Sequence, residues 1–356
     1  MERVDALKES AFKRLGFDGF LVFDTANLLY FTGVSGISGL LVSGESEGTI
    51  LVYEVNYEQA KHEGKNFNVE LVKRGEDLMK KIAEKAVCLN MKRLAVDSLG
   101  VESWRKLSKA TRGKVQLGFR GSIVAELRKT KDKTEIELIR KAADLTRIGM
   151  DTAYEVLSPG MREFEVAAEI EYAMRKRGSG GTAFDTAVSS GKYSAFPHGG
   201  CTDREIREGD LVVFDFGAIY ENYRSDMTRT FTAGSTSEKQ KRLFEIVMRA
   251  YKAAFEATRS QAKARDVDRA ARRTIEEAGY GEFFVHGLGH GVGLEIHEAP
   301  ILNSVSKDLL ATGNVVTVEP GIYLPGFGGV RIEDTVLVEK DQAEKLTEGL
   351  YCLNTK

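Results

Sequence analysis

The sequence predicts two domains of different class, a smaller α/β domain over residues 1–123 and a larger α+β domain over 124–356. Three observations carry this. The chain has 356 residues, which at about 150 residues per domain suits two. Its first third alternates strand-like and helix-like segments, as α/β layers do. The remainder pairs long helices with glycine-rich, strand-rich stretches, which suggests two similar halves, each with helices followed by a hairpin.

Taken in order, 19–24 (GFLVFD), 39–43 and 49–53 read as short apolar strands bounded by turn residues. Segments near 56–64, 75–86 and 101–110 read as helices. The charged run Leu127-Arg-Lys-Thr-Lys-Asp-Lys-Thr134 follows the boundary. Thr134 with Glu137 has the spacing of a capping box, and Leu138, Ala142, Leu145, Gly149, Ala153 and Val156 then recur three and four apart, one face of a long helix. Ser158-Pro159-Gly160 ends it. Further helices are expected at about 162–177, 237–260 and 265–278.

Composition excludes several classes. Lys plus Arg number 51 and Asp plus Glu 53, a net charge of −2, so no basic excess points to nucleic acid. No apolar run is long enough for a membrane span. The opening MERVDALKESAFKRLG is charged and amphipathic, without a signal peptide's apolar centre. The three cysteines, Cys88, Cys201 and Cys352, are far apart and odd in number, as expected of small core residues in a reduced, cytoplasmic setting.

Four carboxylates stand out because they interrupt apolar strands. Asp215 lies in Leu211-Val-Val-Phe-Asp-Phe-Gly-Ala and Asp226 in Tyr223-Arg-Ser-Asp-Met-Thr-Arg-Thr-Phe231. A hairpin centred between residues 220 and 221 sets these two opposite each other. Glu319 lies in Val315-Val-Thr-Val-Glu-Pro-Gly-Ile and Glu333 in Gly329-Val-Arg-Ile-Glu-Asp-Thr-Val. A hairpin centred at 326 sets that pair opposite. Like charges across a strand pair destabilise it, and an unpartnered buried carboxylate costs more. Either Arg224, Arg229 and Arg331 neutralise these groups, or the carboxylates share cations. Oxygen ligands suit Mn2+, Mg2+ or Ca2+, and mixed oxygen and nitrogen ligation admits Co2+, Fe2+ or Zn2+.

Histidines weigh on that choice. Of five, His62 sits in a charged stretch, while His198, His286, His290 and His297 fall around the acidic strands. Imidazole is a common transition-metal ligand and an acid or base near neutral pH. Known short motifs do not explain the region. His297-Glu298 has Ile301 where H-E-x-x-H needs histidine, and Gly287-Leu-Gly289-His-Gly-Val292 lacks the third glycine of a dinucleotide loop. Phe214-Asp-Phe-Gly217 has no kinase catalytic loop beside it.

With these residues in place, the chain resembles the pita-bread metallopeptidases: prolidase, aminopeptidase P and, more distantly, methionine aminopeptidase. The family pattern reads here, in order, as Asp215, Asp226, His290, Glu319 and Glu333, with the contexts G-H-G-x-G-x-x-x-H-E-x-P and E-P-G-I-Y. The likeness extends to the first 120 residues or so, which look like the creatinase N-terminal domain of the prolidase and aminopeptidase P branch. Creatinase itself shares the fold without the metal ligands, so their presence argues against a metal-free amidinohydrolase and against an inactive peptide-binding scaffold.

The resemblance implies a pita-bread catalytic domain and two divalent ions, Mn2+ or Co2+ foremost, with Zn2+ or Fe2+ also accommodated. In it Asp226 and Glu333 serve both ions, Asp215 completes one site, and His290 with Glu319 completes the other. Glu319 moves the proton to the leaving nitrogen, and His198 and His297 contact substrate. His286 stands behind the ligands or relays a proton. Arg331 is expected to share a strand face with Glu333 and orient a ligand carboxylate, while Tyr323 and Phe184 either wall the pocket or pack in the core. The implied substrate is a small peptide with proline second, cut by an Xaa-Pro dipeptidase or, alternatively, an Xaa-Pro aminopeptidase, and the implied assembly is a homodimer. One position departs from the pattern. Relatives commonly follow H-E-x-P with arginine, suited to a substrate carboxylate, and here Ile301 follows.

Overall fold

An uninterrupted apolar run favours a strand covered on both faces, and Gly19–Val22 is buried at every residue. A computed structural model describes residues 2–44 and 48–354. It divides into two units, Met1–Arg128 and Lys129–Lys356. The break lies beyond the 123/124 division expected from sequence, because one helix (Gly121–Lys129) runs through that point.

The first unit holds strands β1 (Gly19–Val22), β2 (Gly39–Ser43), β3 (Thr49–Tyr53), β4 (Asn68–Val72), β5 (Arg93–Val96) and β6 (Gln116–Phe119). They form one mixed sheet in the order β4-β3-β2-β1-β5-β6. Its helices are α1 (Glu2–Lys8), α2 (Thr25–Thr32), α3 (Tyr57–Glu63), α4 (Leu78–Cys88), α5 (Val101–Thr111) and α6 (Gly121–Lys129). Ile82 and Ala86 of α4 and Leu107 of α5 pack with Leu21, Leu41 and Leu94 of the sheet. The three strands beyond the sequence expectation include both edges. β4 and β6 are mostly half-exposed and lack the apolar run that marks a central strand.

The second unit begins with α7 (Lys133–Val156) and α8 (Glu163–Lys176). The capping box of α7 is Asp132 with Glu135, one pair earlier than Thr134 with Glu137. The Asp132 carboxylate accepts from the Glu135 amide at 2.9 Å and Glu135 accepts from the Asp132 amide at 3.0 Å. Both pairs have the same spacing; an aspartate at the earlier position can already satisfy the free amides of the first turn. Strands β7 (Gly181–Thr182), β8 (Ala187–Ser190), β9 (Leu211–Phe216), β10 (Ala218–Tyr220), β11 (Tyr223–Arg224) and β12 (Met227–Thr232) follow. Next come α9 (Glu238–Ala257) and α10 (Ala264–Glu277). The chain continues with β13 (Gly289–Gly291), β14 (Glu298–Leu302), β15 (Val315–Val318), β16 (Gly321–Leu324), β17 (Gly328–Arg331), β18 (Asp334–Val338) and β19 (Ala343–Lys345).

Two cores repeat one plan. Met150, Ala153, Val166 and Ile170 of α7 and α8 cover Val188, Phe214 and Phe231 of the β12-β9-β8 sheet. Leu243, Val247, Val267 and Ala271 of α9 and α10 cover Val316, Val318 and Val336 of the β14-β13-β15-β18-β19 sheet. A helix pair with strands, used twice, is the pita-bread arrangement. Among the described residues, no helix is long and apolar enough to cross a membrane. Cys88 is exposed, and Cys201 and Cys352 are half-buried beside the first of these cores, so the thiols are not all core residues.

Candidate metal centre

The acidic residues sit where strands pass from one sheet to the next. β15 pairs with β18 and β16 with β17, and Glu319 and Glu333 fall between the two ladders. Val318 pairs with Asp334 on one side and Gly321 with Arg331 on the other, so one register runs through and Glu319 stands opposite Glu333, as the sequence predicts. The first hairpin differs. Asp215 pairs with Thr228 and not with Asp226. The turn lies at Glu221 and Asn222, both with positive φ (45° and 73°), which is the conformation of a type I′ hairpin turn. Moving the turn by one residue displaces the pairing by two, which leaves Asp226 on the same face, diagonal to Asp215. Gly217 permits this crossing. A Cβ there would lie 1.8 Å from the Ser225 carbonyl oxygen.

Arg331, expected to orient a ligand carboxylate, meets Asp215. Its Nη2 donates to Asp215 Oδ2 at 2.5 Å, Nη1 to Tyr323 Oη at 2.8 Å and to the Pro197 carbonyl at 3.1 Å, and Nε to Thr228 Oγ1 at 3.0 Å. The Thr228 hydroxyl in turn donates to Glu333 Oε2 at 2.5 Å. Tyr323, whose oxygen accepts from Arg331, hydrogen-bonds His286 Nε2 at 2.9 Å. His286 Nδ1 lies 2.7 Å from the Gly287 carbonyl. A carbonyl only accepts, so Nδ1 carries the proton and Nε2 takes the tyrosine's. Burial and, secondarily, Arg331 hold the His286 pKa below its usual value. This ring therefore braces Arg331 through Tyr323. The other two arginines turn elsewhere. Arg224 donates to the Leu294 carbonyl, and Arg229 meets Asp334 at 2.8 Å with both side chains buried.

The glycine-rich segment brings histidine to the carboxylates. A Cβ on Gly289 would lie 2.1 Å from the Thr317 carbonyl oxygen, so β13 can approach β15 only without one. The Thr317 hydroxyl accepts from the His290 amide at 3.0 Å and donates to Glu319 Oε1 at 3.1 Å. His290 Nδ1 faces the Gly291 carbonyl at 3.1 Å, leaving Nε2 directed at Glu319 Oε1 (3.3 Å) and Asp226 Oδ2 (3.7 Å). Thr228 and Thr317 were not among the residues read from sequence. Each lies two positions from a ligand-type residue, on the same face by strand alternation.

The charge does not balance. Asp215, Asp226, Glu319 and Glu333 converge on one guanidinium, Arg331. Burial first, and then neighbouring carboxylates, hold Asp226 and Glu333 well above the ordinary carboxylate range. Glu319 goes the other way despite its burial, to about 2, because His290 bonds and attracts it. Asp226 Oδ1 and Glu333 Oε1 are buried without a hydrogen-bond partner. Ligand atoms of Asp226, His290 and Glu333 lie within 4.8 Å of one another. Orphaned carboxylate oxygens beside an imidazole are donors that fit a divalent cation, and Arg331 alone does not balance four carboxylates.

These groups floor a cavity of about 610 Å³. All of the singled-out residues Asp215, Asp226, His198, His286, His290, His297, Glu319, Arg331 and Glu333 line it, and so do Phe184 and Ile301. Tyr323 lies beneath, 4% exposed. His198 is exposed on the loop after β8. The His297 ring stands 4.3 Å from that of His290 at 70°, and burial, with His290 adding to it, lowers its pKa. Glu298, next in sequence, turns away to Lys131 at 2.7 Å in a buried pair.

A cavity floored by buried carboxylates and a histidine, in a pita-bread domain, defines a metallohydrolase. Residues 137–340 match metallopeptidase family M24, and residues 3–130 match the creatinase/prolidase N-terminal domain. The chain is 42% identical over 338 residues to the Xaa-Pro dipeptidase of Pyrococcus furiosus, covering 93% of each. Its structure resembles the Xaa-Pro dipeptidase of Bacillus anthracis (TM-score 0.94, 34% identity, 99% of each chain). It also resembles the X-Pro aminopeptidase of Thermotoga maritima (TM-score 0.88, 36% identity, 96% of this chain and 99% of that one). The chain belongs to metallopeptidase family M24.

Proposed function

We propose that this metallopeptidase is a dinuclear exopeptidase that removes the N-terminal residue of peptides with proline second, acting chiefly on dipeptides. The observation that carries the reading is the surplus of buried carboxylate around His290, with two orphaned oxygens, at the floor of a peptide-sized cavity. Relatives named for Xaa-Pro hydrolysis support the substrate. Asp215, Asp226, His290, Glu319 and Glu333 would hold two divalent ions, Mn2+ or Co2+ foremost. When bound, such ions supply an activated water and positive charge for the developing oxyanion.

The chain's own groups do the rest. Glu319 takes the water's proton and delivers it to the proline nitrogen, which must be protonated to leave. Its Oε1 is held by Thr317, which fixes the direction of the other oxygen. His297 and His198 donate hydrogen bonds to the substrate. Arg331, braced by Tyr323 and His286, fixes Asp215. A homodimer belongs to the same reading on the family likeness, and a cytoplasmic setting on the odd number and wide spacing of the cysteines.

A second reading, Xaa-Pro aminopeptidase, is favoured by Ile301, which leaves the cavity without the arginine that would select a dipeptide's carboxylate. The test is to strip the protein of metal, reload it with Mn2+ or Co2+, and assay Xaa-Pro, Xaa-Pro-Yaa and Xaa-Ala peptides. Metal-dependent cleavage confined to proline peptides is expected. Equal turnover of Xaa-Ala overturns the proline assignment, and preference for Xaa-Pro-Yaa selects the second reading.

A further inference from the structure

Of the fully buried carboxylates outside the mechanism, Asp268 and Asp334 pair with Arg272 and Arg229. Glu163, the first residue of α8, is 0% exposed and has no cation against it. Instead it accepts four hydrogen bonds in two pairs. Oε1 takes the Ser190 amide at 2.8 Å and the Ser190 hydroxyl at 2.6 Å. Oε2 takes the Thr202 amide at 2.9 Å and the Thr202 hydroxyl at 2.6 Å. Both hydroxyls also accept from Arg204, Ser190 from its guanidinium and Thr202 from its amide. Arg204 is itself held by Asp210 at 2.7 Å.

Ser190 and Thr202 are the two feet of one loop, and that loop carries His198 into the cavity. Between its feet the loop is also tied by the Gly329 amide, which donates to Ser194 Oγ at 2.9 Å, and by Cys201 Sγ, which donates to the Thr186 carbonyl at 3.0 Å. Ser189 Oγ donates to the Gly200 carbonyl at 3.3 Å, and Arg331 donates to the Pro197 carbonyl at 3.1 Å. Hydrogen bonds to a charged group are about twice as strong as neutral ones; Glu163 accepts four of them at the loop's two ends, against one from Arg331 near its tip. A buried carboxylate is costly unless every oxygen is satisfied, and here all four bonds are spent on drawing the loop's ends together.

We propose that Glu163 is a positioning residue for substrate binding, acting by clamping the feet of the 190–202 loop so that His198 is held at the cavity. This rests on the proposed role of His198 as a substrate contact. Glu163 touches neither substrate nor metal-binding groups. Its removal is felt only through the loop.

The test measures kcat/KM on an Xaa-Pro dipeptide for the metal-loaded wild type, Glu163→Gln, His198→Ala and the double variant, with metal content by elemental analysis. In Glu163→Gln the amide oxygen can serve one foot, but the amide nitrogen then faces two donors at the other. The expected result is a fall of about tenfold or more with full metal content. In the His198→Ala background the same substitution should cost less than about threefold, because coupled residues are not additive. An equal factor in both backgrounds, loss of metal, or no effect at all would each overturn the proposal. If His198→Ala alone keeps wild-type turnover, the substrate role of His198 and this proposal fall together, whereas the outcomes above sink the proposal alone. Should Glu163→Gln fail to fold, Thr202→Val removes one of the four bonds and carries the same test. Its loss must be smaller and must vanish in the His198→Ala background.

Discussion

Replacing Ile301 with arginine tests how the cavity measures peptide length. Ile301 stands directly across from His290 in the β13–β14 ladder, is 40% exposed and lines the cavity. Directly opposed residues share a face with Cβ atoms about 4.5–5.5 Å apart, so a guanidinium introduced there enters the cavity beside the metal-binding histidine. Among the described residues lining the cavity, Arg331 is the one lysine or arginine, and its donors go to Asp215, Tyr323, Pro197 and Thr228. A charged hydrogen bond contributes about 1.5–3 kcal/mol when well formed. At about 1.4 kcal/mol per factor of ten, that is about a 10–150-fold change in relative kcat/KM. The assay compares matched Xaa-Pro and Xaa-Pro-Yaa peptides in both proteins. The wild type should cut tripeptides appreciably, and Ile301→Arg should shift preference toward dipeptides by the factor above. Dipeptide cleavage should persist in the wild type, since the N-terminus and the proline ring still bind. If the wild type already rejects tripeptides by about a thousandfold, worth about 4 kcal/mol, another group recognises the carboxylate and the reasoning fails.

Three further outcomes follow from the site. Glu333→Gln or Asp226→Asn should lose metal and activity together, yet raise the melting temperature of the metal-stripped protein by relieving like-charge repulsion; two ions per chain by elemental analysis would refute the assignment. His297→Ala should keep its metals and lose most turnover, and a parallel loss of metal would mean that this ring is a ligand. Tyr323→Phe leaves an N–H of Arg331 and Nε2 of His286 unpaired in a buried place, so it should destabilise the protein by about 1–3 kcal/mol in a denaturant melt and lower turnover; an unchanged melt would show that Arg331 does not depend on this brace.

The four carboxylates were legible because carboxylates inside apolar strands are costly, and the histidines because they concentrate in one region of a chain with only five; which of them bind metal came from the family resemblance. Helices α8, α9 and α10 were legible because amphipathic periodicity over several turns has few alternatives. The half-exposed edge strands β4 and β6 were not, since neither face is consistently apolar. Thr228 and Thr317 escaped because a threonine in a strand is ordinary. What they do depends on which side chain the neighbouring strand presents.

By itself, then, the sequence determined which residues converge and on which strand face each lies, because alternation with period two assigns a face from burial alone. For the second hairpin the assumed centre at 326 matches the structure, where Leu324 pairs with Gly328. The sequence could not determine the register of the first. A slip of two residues keeps every side chain on its own face, so burial does not distinguish Asp215 opposite Asp226 from Asp215 opposite Thr228. That was decided in three dimensions by the turn at Glu221 and Asn222 and by the close crossing of Gly217 and Ser225. The same holds for Arg331, whose side chain reaches Asp215, 116 residues away, and for Glu163, whose partners lie 27 and 39 residues away. Local spacing sets which face a group occupies, and only tertiary packing sets which group it meets there.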